Sequence, residues 1–139
     1  MSAARRQPAR DRARDAGTST VELVITMPAL LLLVLAVIQF GLWAHAQHIA
    51  LAAAQDGVTA ARAYGATDQA GRDRANHSVD RFGPSVLRRP AVAVGRTPQE
   101  VTVTVTGHAT SILGLFSFPV REQARGPVER FVAATGGVR

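Results

Sequence analysis

The chain has 139 residues, room for one small domain beside any membrane segment. It contains no cysteine, which excludes a disulfide framework and any thiolate metal site. Its net charge of +6 comes from 16 basic residues, all of them arginine. About half of that excess sits in the first seventeen residues, where Arg5, Arg6, Arg10, Arg12 and Arg14 outnumber Asp11 and Asp15. A basic chain can bind nucleic acid, but a charged tail set directly before an apolar run answers to membrane topology. No nucleic-acid partner is expected.

Residues 23–55 contain no Asp, Glu, Lys or Arg. Within them, residues 23–43 are almost wholly apolar, interrupted only by Thr26, Pro28, Gln39 and Gly41. A helix needs roughly 20 mainly apolar residues to cross the hydrocarbon core, and this run is long enough. Residues 30–38 are apolar on every side, whereas a core helix of a small soluble protein keeps a polar face. With the helix beginning near Ser19, Pro28 falls in the first turns, where few hydrogen bonds are lost. Trp43 fits a membrane-interface anchor at the far end. The arginines precede the span and the next one is Arg62, so the positive-inside rule places the N-terminus in the cytoplasm. The expected location is the cell membrane, single-pass, with the C-terminal domain outside. A rival reading is a secretory signal peptide, since Ala44-His45-Ala46 matches the small-x-small pattern that would release a soluble domain near Ala46. The apolar run is longer than the roughly 7–15 residues of an ordinary signal core.

Beyond Trp43 the alanine-rich residues 47–64 should prolong the helix. Leu51, Ala54, Val58 and Ala61 make a narrow seam of small apolar side chains along it. Thr67 is a suitable N-cap for a second helix, with Asp68 and Arg72 paired one turn apart and Gly83-Pro84 as the stop after Phe82. The pattern then changes period. Val101, Val103 and Val105 alternate with Thr102, Thr104 and Thr106, the best strand signal in the chain. Residues 91–94 predict a weaker strand before it, with Thr97-Pro98-Gln99 as the turn. Residues 112–118 read as an apolar loop or strand, and residues 120–131 as a further strand broken near Gly126-Pro127. The predicted fold is α+β: a long N-terminal transmembrane helix extending outward, a short second helix, then a small antiparallel sheet. Its organisation is a basic cytoplasmic tail or leader at 1–17, a transmembrane helix at 18–46, a projecting helix at 47–65, an exported domain at 66–132 and a frayed tail at 133–139. A sheet and short helix of about seventy residues form a marginal core. The sheet should therefore lean on the projecting helix or on a partner.

The junction of tail and span reads Gly17-Thr18-Ser19-Thr20-Val21-Glu22. This resembles the class III signal of type IV pilins and pseudopilins, a glycine followed five residues later by glutamate. Together with Leu23, Pro28 and its leucine run, Gln39-Phe40-Gly41 and Ala60-Ala61-Arg62, the chain resembles the TadE family of tight-adherence pilus proteins. Leu23 departs from the aromatic residue that better-defined pilins carry after the glutamate. The resemblance implies a pilin-like subunit acting in pilus biogenesis or assembly, with other pilin-like subunits, Tad-type assembly machinery, a prepilin peptidase and membrane lipid as partners. It implies cleavage after Gly17, and docking of Glu22 against the new amine of Thr18 on a neighbouring subunit. The same residues admit a simpler reading. Ser19-x-x-Glu22 is also a capping box that would satisfy free N–H groups at a helix start.

Nothing in the sequence points to catalysis, a cofactor or a metal. His45 and His48 lie three apart but lack a third ligand, Asp56 being two turns on. His77, Ser78 and Asp80 resemble a triad only by composition, because neighbours on one helix do not all converge. Three function classes remain: a TadE-like pseudopilin or assembly component, a small domain secreted by signal peptidase, and an anchored envelope regulator. Their mature chains would begin at Thr18, at Gln47, or with the tail uncut.

Overall fold

A computed structural model describes residues 10–112, 114 and 116–129. Its elements are helix α1 (Arg10–Arg62), helix α2 (Asp68–Phe82), and strands β1 (Leu87–Arg96), β2 (Glu100–Ala109) and β3 (Phe118–Pro127). This is the α+β order expected. The chain divides into two compact units, Met1–Ile38 and Gln39–Arg139, and α1 contributes residues to both.

In the first unit the described residues are helical, and over 21–38 all but the half-buried Leu35 are exposed. Val24, Ile25, Leu31, Leu32 and Val37 all present most of their surface. The helix already includes the first described residue, Arg10, well ahead of the start near Ser19 that the sequence suggested. Ser19 therefore lies inside it and cannot be an N-cap, which requires a non-helical backbone. The capping-box reading fails on that point. The physical reason is that residues 10–16 are themselves rich in alanine and arginine, which favour helix. Pro28 accordingly stands in the helix interior, where it forgoes an N–H bond to the carbonyl four residues back.

The second unit is built on small side chains. Ala46, Ala50, Ala53, Ala54, Val58 and Ala61 of α1 join Ala75 and Val79 of α2 and Val101, Val103, Val105 and Val120 of the sheet in one buried cluster. The seam is broader than the four residues expected, and Leu51 stands at its margin, only partly buried. The largest fully buried side chains are valines, each worth about 1.5–3 kcal/mol of burial. Such a core stabilises only if backbones come close, and glycine allows it. A Cβ on Gly71 would stand 2.6 Å from the Ala61 Cβ, and one on Gly57 would meet the Ala75 Cβ and the Gly71 carbonyl, each at 3.0 Å. A Cβ on Gly126 of β3 would lie 2.7 Å from a Val58 methyl. The sheet thus leans on the outer part of α1, as its size required.

Helix α2 begins where the sequence placed it. Thr67 has extended backbone angles and its hydroxyl accepts from the Ala70 N–H at 3.2 Å. Gly83 ends the helix, its N–H donating to the Val79 carbonyl at 2.7 Å. Asp68, however, does not pair with Arg72. Its carboxylate accepts from Arg96 Nε at 3.0 Å, while Arg72 donates to Gln69 Oε1 at 3.2 Å. Arg96 ends β1 beside the start of α2, so a partner distant in sequence displaces the local one.

The sheet is an antiparallel meander in the order β1-β2-β3. Val103 sits opposite Val94 on one side and Ala124 on the other. Alternation in β2 sends Val101, Val103 and Val105 inward and leaves the threonines half-exposed. In the first turn the Thr97 hydroxyl accepts from the Glu100 N–H at 2.9 Å, closing it by a side-chain bond that threonine provides well. The register slips between Arg88 and Ala91, where Arg89 adopts φ +49° ahead of Pro90. The last strand ends at Pro127, and the tail expected at 133–139 lies outside the described residues.

Candidate functional site

Gly17 and Thr18 are helical positions of α1. Glu22 follows a little more than one turn later and is exposed. Its neighbours Val21, Leu23 and Val24 are also exposed. A carboxylate surrounded by bare apolar side chains has no partner of its own among the described residues, so any counter-charge must come from elsewhere. One helix in the chain, described over Val21–Arg62, is long and apolar enough to cross a membrane.

Farther along α1, the polar residue that interrupts the apolar run proves to be structural. Gln39 Nε2 donates to the Thr110 carbonyl at 3.1 Å, and its Oε1 accepts from the Ile112 N–H at 3.0 Å. The amide thereby fixes the start of the β2–β3 connection with both of its ends. One turn on, the Trp43 indole N–H donates to the Pro119 carbonyl at 3.2 Å and the ring packs on the buried cluster beside Phe40. Trp43, expected from the sequence to be an interface anchor, thus clamps the far end of the same connection. One usable signal for Gln39 was present in the sequence. An amide in an apolar run costs free energy unless both its donor and acceptor are met. Gln39→Leu keeps the run apolar but leaves the Thr110 carbonyl and Ile112 N–H unpaired. The expected cost is about 1–2 kcal/mol, read as roughly tenfold faster hydrogen exchange at the Ile112 amide. An unchanged rate would show that the clamp does not hold the loop.

The other candidates separate. Among the described residues no group of three His, Asp or Glu could hold a metal ion. His45 and His48 are exposed and border a depression of about 410 Å³ that Asp56, Ser78 and Phe82 also line. Asp56 is engaged there, its carboxylate accepting from the hydroxyl of the buried Ser78. That bond joins α1 to α2 and turns Ser78 away from the triad composition, since His77 and Asp80 stay on the exposed surface.

Residues 17–59 match the model of a protein family described as TadE-like protein. The matched segment opens at Gly17, takes in Glu22, Gln39 and Trp43, and stops within the small-residue seam. It agrees with the resemblance drawn from the sequence, that of a TadE-like pilus assembly protein. No curated protein and no solved structure matches the chain.

Proposed function

We propose that the chain is a non-enzymatic, membrane-anchored pseudopilin or assembly component of a tight-adherence pilus. It would be processed after Gly17 and would dock on its neighbours through Thr18 and Glu22. The carrying observation is that the family match begins at Gly17, with an exposed carboxylate five residues on and a long, mainly apolar helix behind it. A lone carboxylate towards lipid costs roughly 2.5–3.5 kcal/mol at the bilayer centre and less near its edge, where Glu22 can reach the headgroups. Drawn among neighbouring helices it needs a counter-charge, and cleavage after Gly17 would supply one as the Thr18 amine. The N-terminus would remain on the cytoplasmic side until cleavage, with the alanine and valine domain outside.

Release by signal peptidase at Ala46 fits less well. It would part the domain from Gln39 and Trp43, the two residues that clamp its β2–β3 connection. An anchored regulator would retain them but would have no use for the glycine and glutamate.

Two measurements test the proposal. Mass spectrometry of the membrane-purified protein from a host carrying the peptidase should show a chain beginning at Thr18, and Gly17→Leu should leave the tail attached. Glu22→Gln should insert and accumulate normally, yet co-purify with pilin-like partners about tenfold less or worse, as expected for breaking a buried ion pair. An intact N-terminus, together with undiminished pull-down by Glu22→Gln, would reduce the chain to an anchored module.

A further inference from the structure

We propose that the connection between β2 and β3 dips into the membrane, its exposed Ile112 and Phe116 side chains entering the interfacial layer of anionic lipid while Arg88 and Arg89 meet the phosphates. The inference rests on the membrane-anchored reading of α1 and adds a second contact with the bilayer, made by the folded domain.

Depth is the first reason. The loop backbone is bonded to Gln39, four residues before Trp43 on the same helix. At 1.5 Å per residue Gln39 lies about 6 Å from Trp43 along the axis, on the side of the apolar run. With Trp43 at the headgroup level, a loop tied to Gln39 sits roughly 5–10 Å below it, the depth at which amphipathic elements rest.

Composition is the second. The loop sequence is Ser111-Ile112-Leu113-Gly114-Leu115-Phe116-Ser117, without a charge. Ile112 is 50% and Phe116 63% exposed, a surplus that water disfavours and an interface accepts. The Phe116 and Phe118 rings lie tilted against each other, 6.4 Å between centroids, so Phe116 has an aromatic neighbour at the foot of the loop.

Charge is the third. Arg88, Arg89 and His108 border a depression of about 420 Å³ together with Phe116 and Ser117. Arg88 and Arg89 are exposed and have no acid partner within ion-pair distance among the described residues. The β-bulge at Arg89 directs a pair of arginines to the rim of an apolar loop, an arrangement complementary to a surface of lipid phosphates. A second protein subunit could cover the same apolar side chains, but it would not require the arginines beside them.

The chain has no cysteine, so single nitroxide labels can be placed at will. The full chain would be reconstituted in vesicles of phosphatidylcholine, with or without an equal part of phosphatidylglycerol. Labels on Ser117→Cys, on Leu32→Cys in the span and on Gln99→Cys in the opposite turn would be compared for access to oxygen against a water-soluble nickel chelate. The ratio at 117 should exceed that at 99 by about threefold or more, approach that at 32, and rise further with phosphatidylglycerol. Arg88→Gln with Arg89→Gln should abolish that further rise. A ratio at 117 equal to that at 99 overturns the loop proposal while a high ratio at 32 upholds the anchor. A low ratio at 32 means that the anchor reading itself has failed. A label at 117 shielded from both reagents would show a protein partner on the loop and also overturn the proposal, as would a phosphatidylglycerol effect that survives loss of both arginines.

Discussion

Gly71→Val should lower the thermal midpoint of the folded unit by on the order of 10–20 °C, reflecting about 3 kcal/mol of overpacking. The ideal Cβ at this position already stands 2.6 Å from the Ala61 Cβ and 3.0 Å from the Gly57 carbonyl. None of those atoms is the end of a flexible side chain, so only separation of α1 from α2 relieves the clash. Separation would open the seam on which Ala75 and Val79 are packed. Alanine at the same place gives a smaller net loss, because its better helix propensity returns up to about 1 kcal/mol. Gly95→Val is the control, since a Cβ there meets nothing within 4 Å. Trp43, the only tryptophan, reports the transition in detergent micelles through its contact with the β2–β3 connection. A Gly71→Val midpoint as high as that of Gly95→Val would mean the helices are not in close contact.

Arg96→Met should cost about 2 kcal/mol, most of it from one hydrogen bond and little from the ion pair. The guanidinium donates to the Ala61 carbonyl, in the last turn of α1, where helix carbonyls lack partners within the helix. A charged hydrogen bond of this kind contributes about 1.5–3 kcal/mol. The Arg96–Asp68 pair, at 3.0 Å, has a carboxylate side chain 48% exposed, and solvent screens it. Asp68→Asn should therefore cost about 0.5 kcal/mol. Lysine at position 96 can reach one partner but not both, lacking the planar fork. Equal losses from Arg96→Met and Asp68→Asn, on the same Trp43 melt, would assign the effect to the ion pair and refute the capping role.

Much of the fold could be read from short-range chemistry. Thr67 and Gly83-Pro84 mark the ends of α2 because a hydroxyl cap and a glycine-proline stop act within a few residues. The Val-Thr alternation marks β2 because the pleat has period two. The family resemblance was legible for the same reason, from the local Gly17 to Glu22 spacing next to an apolar run that the family match takes in. What escaped the sequence was of two kinds. Ser19-x-x-Glu22 has the composition of a cap, but the residues before it favour helix equally well, so the helical turns ahead of Ser19 were hidden. The second kind is long-range pairing. Asp68 chose Arg96 over Arg72, and Gln39 found its partners more than seventy residues away at Thr110 and Ile112. Local spacing holds no information about such partners. Only an amide that would otherwise be unmet hinted that they exist.

The small-residue seam also decides how a pull on α1 would reach the sheet. Residues 46–61 of α1 are themselves part of the domain's core, so a pull on that helix reaches the sheet without passing through a linker. The tension falls in shear on contacts spread over about four turns, among them Gly57 against Ala75 and Val58 against Gly126. In that direction the contacts must give way together, whereas strands unzipped from an edge would fail one bond at a time. Pulled along that axis, the helix should hold up to a sharp yield force and then come away in a single slip.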